Sequence, residues 1–369
     1  MLIGIPKEVK NNEYRVGATP SFIRALVEAR HQVIIQTHAG SQIQFSDEEY
    51  QKAGAKIVPT AADVYAAEMI IKVKEPQKEE FSLLREGQIL FCYLHLAPDP
   101  IQTQHLLEKK VIGIAYDTVT DENKRLPLLT PMSEIAGRLA IQVGGTALQL
   151  NHGGPGILLG GVPGVRPAKV VVIGGGVSGT EAARMALGAG AEVTIIDRNL
   201  YRLRELDFLF QSKVETLFST SANIESALQE ADLVIGAVLI AGKRTPRLIT
   251  KETIKKMKRG AVFVDISIDQ GGCSETSRPT THTDPIYVVD GVIHYCVTNM
   301  PGAVAKTATL ALTNSTLSYA LEIANKGWRK ALQENPYLVD GLNVALGKVT
   351  NPTVANDLGY PYTPFSQVH

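Results

Sequence analysis

"KVVVIGGGVSGTEAARMALGAGAEVTIIDR", residues 169–198, decides how the chain folds. Residues 170–173 are an apolar run suited to a buried strand, and Gly174, Gly176 and Gly179 follow in GxGxxG spacing. A helix-compatible stretch comes next, then a second apolar run that ends on Asp197. The three glycines have separate tasks. The first permits a tight turn, the second lets backbone approach a pyrophosphate, and the third lets helix and strand pack closely, with the phosphates at the helix N-terminus. GxGxxG alone is weak evidence, because many glycine-rich segments are only loops. Flanked by two strands and followed by an acid about 20 residues on, it specifies a dinucleotide site. Gly174, Gly176, Val177, Ser178 and Gly179 form its turn. Asp197 is expected to accept hydrogen bonds from the adenosine ribose, and its charge favours NAD over NADP. Arg198 beside it weakens that preference, since an arginine there can tolerate a 2′-phosphate.

A Rossmann sheet needs a second half. "DLVIGAVL" (232–239) and "AVFVDISID" (261–269) are its candidate strands. Ligands of open α/β sheets bind outside the carboxyl ends of the strands, so Asp269 falls on the nicotinamide side. "VTNMPG" (297–302) ends another strand and is expected to close over the same ring.

Strands and helices alternate on either side of this segment, the pattern of an α/β chain with parallel sheets. "LIGI" precedes a helix with Thr19 as N-cap and Pro20 at its first position; Ser46 to Glu49 reads as a capping box, and Asp99-Pro100 starts another helix. Thr130-Pro131 opens a long amphipathic connector, and "NHGGPGILLGGVPGVRP" is a glycine and proline loop. The fold class expected is α/β with two domains joined by long helices. One is a Rossmann NAD-binding domain, the other a discontinuous α/β substrate domain. Residues 1–128 form the first part of the substrate domain, 129–305 the Rossmann domain with the connector helix, and 306–369 a helical return to the substrate domain.

With 369 residues the chain can build two full cores. Its 37 basic and 37 acidic residues balance, which leaves no electrostatic footprint for nucleic acid or an anionic membrane. Apolar runs are strand-sized, and no signal-peptide pattern opens the chain. Cys92, Cys273 and Cys296 are far apart and odd in number, with neither a disulfide framework nor metal spacing. A cytoplasmic protein without a metal site is expected.

Three polar residues follow strands of the first half. Arg15 lies in a turn-rich segment after "LIGI", Lys74 follows "MIIKV", and His95 ends "ILFCYLH". Each has an ordinary alternative: a surface charge, a snorkelling lysine sharing a face with Lys72, and a satisfied core histidine. Together they supply two cations for an anion and an imidazole able to move a proton near neutral pH.

"IGIPKEVKNNEYRVGATP", "IIKVKEP", "ILFCYLHLA", "LPLLTPMSEIAGRLA", "GGVPGV", "VIGGGVSG", "ADLVIGAVL", "VDISIDQGGC", "SRPTT" and "VTNMPGAV…TLALTN" run in the order found in NAD-dependent alanine dehydrogenases, which the chain resembles over nearly its whole length. That family shares its architecture with the NAD-binding component of proton-translocating transhydrogenase. The resemblance implies that Arg15 and Lys74 bind the substrate carboxylate and carbonyl oxygen. It makes His95 and Asp269 the catalytic pair, His95 as the acid/base and Asp269 beside the nicotinamide, orienting substrate and ammonia and offering a second acid/base group. Ser133 would contact the pyrophosphate, and Asp197, Arg202 and Ser219 would surround the adenosine. Val238, Leu239, Ile266, Arg278, Val297, Asn299 and Met300 complete the implied cofactor set. The reaction implied is reversible oxidative deamination of L-alanine to pyruvate and ammonium by a homohexamer. The chain departs from the family pattern at Gly17, Pro155, Arg198 and Ala305-Lys306. Two other readings stay open: a transhydrogenase module without an organic substrate, and reductive amination of a different small oxoacid.

Overall fold

Helix starts in the first unit are set by local side chains. Thr19 accepts the Phe22 N–H at the head of helix Pro20–Glu28, and Ser46 and Glu49 close a complete capping box on helix Asp47–Lys52. Asp99 accepts the Gln102 N–H at the head of helix Pro100–Glu108. Such caps contribute about 1 kcal/mol each. Between the helices run β1 (Leu2–Ile5), β2 (Gln32–Gln36), β3 (Lys56–Val58), β4 (Met69–Ile71), β5 (Ile89–Cys92) and β6 (Ile112–Ala115). β4, β5 and β6 are buried at every position, as strands covered on both faces must be.

The computed structural model describes residues 1–238 and 245–368, and the chain divides into two units, Met1–Met132 with Val304–His369 and Ser133–Ala303. The second unit carries β7 (Lys169–Ile173), β8 (Glu192–Asp197), β9 (Glu215–Phe218), β10 (Leu233–Gly236), β11 (Val262–Asp265), β12 (Ile286–Val289) and β13 (Val292–Tyr295). Their order is β9-β8-β7-β10-β11-β13-β12, parallel except for the β12 edge. This is the doubly wound order, with its switch point between β7 and β10. The first sheet repeats it: β3-β2-β1-β4-β5-β6 are all parallel, and the order reverses between β1 and β4.

The C-terminal return is not helical throughout. After helices Ala305–Lys326, Trp328–Glu334 and Pro336–Val339, the strands β14 (Leu342–Ala345) and β15 (Lys348–Val349) extend the first sheet beyond β6, both antiparallel. Leu346 (φ 51°) and Gly347 (φ 80°) make the two-residue turn between them. A turn with positive φ at both positions normally announces itself by Asn-Gly or Asp-Gly, and leucine in the first place hides it. Among the described residues no helix is long and apolar enough to cross a membrane.

Candidate active site

The carboxyl ends of β1, β4 and β5 surround the switch point of the first sheet, and the segments leaving them carry Arg15, Lys74 and His95. Arg15 is only 2% exposed. Its Nε and Nη2 donate to Glu13 Oε1 and Oε2 at 2.7 and 2.6 Å, and its Nη1 lies 3.0 Å from Met132 Sδ. Burial pushes the Glu13 carboxyl up, but the Arg15 hydrogen bonds and charge, with the Lys74 charge, outweigh burial and bring its pKa to about 2. A carboxyl depressed on folding stabilises the fold above its unfolded pKa and loses that contribution as pH falls through the folded value. The stability gap between the parent and Glu13→Gln should therefore narrow between about pH 4.5 and pH 2, by about 3 kcal/mol, in urea titrations across that range.

Lys72 and Lys74 do not share a face, because β4 ends at Ile71 and the two-residue period ends with it. Lys72 is fully buried, 2.8 and 3.1 Å from the Glu80 oxygens and 3.3 Å from Glu8 Oε2. Burial opposes its charge, but Glu8, Tyr65 and Glu80 keep the ammonium protonated. Glu8 Oε1 also accepts the Val73 and Lys74 N–H groups at 2.6 and 3.3 Å, fixing the backbone that carries the half-buried Lys74. Gly17 belongs to the same packing. A Cβ there would lie 2.6 Å from the Ile71 carbonyl oxygen, so an alanine at this position would push the Arg15 loop off the end of β4. His95 sits in the left-handed region (φ 47°), sparsely populated by non-glycine residues, with its side chain 46% exposed.

In the second unit the glycine turn has the form the spacing requires. Gly174 adopts φ 100°, and a Cβ on Gly179 would lie 1.8 Å from the Gly174 carbonyl oxygen. Gly176 is the opposite case: a Cβ there would meet nothing within 4 Å. Gly176 caps the 12-residue helix Val177–Gly188 without any side-chain hydrogen bond, so the first N–H groups of that helix, with Val177 exposed and Ser178 half-buried, face open space. Room above an uncapped helix N-terminus suits a pyrophosphate, and these residues fit a dinucleotide. Asp197, at the end of β8, accepts the Gly175 N–H at 2.7 Å and the Asn199 N–H at 2.8 Å, which leaves further lone pairs for a ribose. Arg198 is exposed.

Arg202, expected beside the adenosine, braces the turn. Its Nε and Nη2 donate to Gly175 O and Thr180 Oγ1 at 2.7 and 2.8 Å, and its Nη1 to Glu205 at 2.8 Å. Ser219 follows β9 and donates its N–H to Asp197 O. Ser133 is half-buried in the first turn of helix Thr130–Ala147. That helix packs on the glycine-loop helix at Gly137, where a Cβ would lie 2.1 Å from Ser178 O.

The nicotinamide-side candidates gather after β10, β11 and β13. Val238 donates its N–H to Ser267 Oγ at 2.9 Å, while Leu239 lies outside the described residues. The strand expected over 261–269 ends at Asp265, and a 3-10 turn, Ile266–Gln270, takes its place. Asp265 causes the change. Its buried carboxylate accepts the Ser267 and Cys273 N–H groups and the Ser277 hydroxyl, folding the chain back on itself. Burial raises its pKa, opposed by those hydrogen bonds. The turn leaves Ile266 half-buried and Asp269 exposed, with Asp269 Oδ1 accepting the Asn299 N–H at 3.2 Å. Asn299 is left-handed (φ 58°), and its carbonyl accepts from His282 Nε2 at 3.1 Å. Val297 and Met300 are 0% and 2% exposed. Arg278 lays its guanidinium 3.9 Å from the centroid of the Tyr287 ring. Sequence reasoning passed over Glu8, Glu13, Lys72 and Asp265. The one visible signal was charge inside apolar or turn-rich runs, as in "VFVD" and "NNEYR".

A dinucleotide-type sheet joined to a second doubly wound unit, with arginine, lysine and histidine on its ligand edge, defines a two-domain α/β oxidoreductase. Residues 4–136 match the alanine dehydrogenase/PNT N-terminal domain and residues 140–352 the alanine dehydrogenase/PNT C-terminal domain. The chain is 57% identical over 366 residues to an alanine dehydrogenase of Methanococcus maripaludis, covering 99% of this chain and 98% of that protein. A solved L-alanine dehydrogenase structure superposes with a TM-score of 0.94 at 53% identity, covering 97% of this chain and 99% of the other. A transhydrogenase from Sinorhizobium meliloti shares the fold, with a TM-score of 0.82 at 23% identity over 95% of this chain and 99% of that one. The chain belongs to the alanine dehydrogenase/PNT family.

Proposed function

We propose that the chain converts L-alanine, NAD and water to pyruvate, ammonium, NADH and a proton, reversibly. The observation that carries this reading is the set Arg15, Lys74 and His95 on the segments that leave β1, β4 and β5 around one switch point, with a dinucleotide turn in the same chain. When bound, NAD supplies the carbon that accepts the hydride. Arg15 and Lys74 hold the substrate carboxylate and carbonyl oxygen. His95 takes the proton from the carbinolamine hydroxyl as the carbonyl forms and returns it in the reverse direction. Asp269 orients ammonia and substrate. Ser133 and the N–H groups of Val177 and Ser178 receive the pyrophosphate, Asp197, Arg202 and Ser219 the adenosine. Val238, Ile266, Asp269, Arg278, Val297, Asn299 and Met300 border the nicotinamide side. The protein works as a homohexamer in the cytoplasm, where its three buried free thiols stay reduced.

The transhydrogenase-module reading leaves His95, Lys74 and Asp269 without a task, and a hydride exchange between two nicotinamides needs no acid/base group. Removal of the Asp197 carboxylate tests the cofactor assignment. Asp197→Ala should weaken NADH binding by about tenfold or more, the scale of a charge-assisted hydrogen bond, and leave NADPH binding nearly unchanged. Fluorescence titration measures both, and equal losses would contradict the ribose role.

A further inference from the structure

We propose that Asp117 is a positioning residue that holds His95 by Nδ1 and presents Nε2 to the reacting groups; this rests on the acid/base role of His95 above. β5 and β6 are neighbours with Cys92 paired to Ala115, so the chain leaves them side by side, and Asp117 and His95 lie two and three residues past the pair. His95 Nδ1 lies 3.4 Å from Asp117 Oδ2. The other oxygen, Oδ1, accepts the Leu94 N–H at 3.1 Å, so the peptide that leads into His95 is fixed by the same carboxylate. The opposite side of Leu94 is also held, because the buried Gln102 donates Nε2–H to the Leu94 carbonyl at 3.1 Å. One face of the imidazole runs parallel to the Tyr93 ring, with centroids 5.8 Å apart and planes 5° apart. Tyr93 is itself anchored by its hydroxyl on Leu128 O at 2.6 Å and by edge contact with Tyr116.

These contacts restrain the backbone, the ring plane and one ring nitrogen of a side chain that is otherwise 46% exposed. The tautomer of a histidine follows the groups that stand beside its nitrogens, and here a carboxylate oxygen stands at ion-pair distance from Nδ1. A carboxylate 3.4 Å from Nδ1 favours the Nδ1–H form, which leaves Nε2 to take the carbinolamine proton. The same division of labour makes a buried carboxylate worth several orders of magnitude in hydrolases. A left-handed backbone at a non-glycine residue persists only where surrounding contacts enforce it, and here they converge on this ring.

The experiment compares His95→Ala, Asp117→Asn and Asp117→Glu with the parent in the pyruvate, ammonium and NADH assay, alongside NADH binding and thermal unfolding. Asp117→Asn keeps an oxygen for the Leu94 N–H but sets an amide against Nδ1. Its kcat should fall about 100-fold, with the pyruvate KM and NADH Kd within about threefold of the parent. Asp117→Glu restores a carboxylate and should recover part of that kcat. An Asp117→Asn enzyme with parental kcat overturns the proposal while His95→Ala is inactive. Losses of both variants that follow global unfolding or NADH release also overturn it, since they describe a purely structural carboxylate. If His95→Ala itself turns over normally, the acid/base reading fails instead, and the two failures are distinct.

Discussion

Replacing His95 with alanine should lower the turnover of pyruvate, ammonium and NADH by about three orders of magnitude, with NADH binding within about twofold of the parent. The expectation follows from where the side chain sits. His95 is three residues past the end of β5, near a switch point, where open α/β sheets bind ligands. Its ring fills no core space, so its removal creates no cavity, and the dinucleotide turn belongs to the other unit. Loss of a positioned acid/base group lowers kcat, whereas loss of a packing group lowers stability. A variant that releases NADH, or unfolds many degrees earlier, would assign His95 to structure.

Lys72→Ala should have the largest effect on stability. It removes the ammonium that pairs with Glu8 and Glu80, both side chains almost wholly buried. Breaking a buried pair by deleting one partner typically costs about 3–5 kcal/mol, because the remaining charge is neither solvated nor paired. The unfolding midpoint in urea should drop accordingly. The deficit should shrink as pH falls, because burial already raises the Glu8 carboxyl and the Lys72 charge no longer opposes it. A variant as stable as the parent at pH 7 would mean that water or another cation reaches these oxygens. Activity should suffer with stability, since Glu8 also anchors the Val73 and Lys74 N–H groups.

These two residues mark how far the sequence could be read. The dinucleotide turn was legible because its chemistry is local. Gly174, Gly179 and Asp197 lie within one strand–helix–strand unit, and each task depends on backbone geometry a few residues long. The helix caps at Thr19, Ser46 and Asp99 were legible for the same reason. His95 and Lys74 were legible as strand-end polar residues.

What stayed hidden depends on pairing across distance. Lys72 looks like a neighbour of Lys74 until Glu80, on a later turn, is brought against it, and until Glu8 arrives from the end of β1. The first sheet repeats the doubly wound order of the second without any glycine fingerprint, so its switch point between β1 and β4 appears only with the strand pairings. Asp269 drew attention as a carboxylate at a strand end. The strand in fact stops at Asp265, whose buried carboxylate builds the turn that leaves Asp269 exposed. Arg202 offered a charge near the cofactor acid, and its bond to the backbone of the glycine turn is visible only in the fold. The hairpin at Leu346-Gly347 escaped because leucine is a poor signal for a left-handed turn position.

The most direct measurement follows NADH oxidation by the purified protein with pyruvate, with and without ammonium, and with NADPH as control. Oxidation that requires both pyruvate and ammonium and strongly prefers NADH is the expected result. Tight NADH binding with no oxidation by pyruvate, glyoxylate or 2-oxobutyrate, ammonium present, would contradict the amino-acid dehydrogenase assignment and leave a hydride-exchange module in its place.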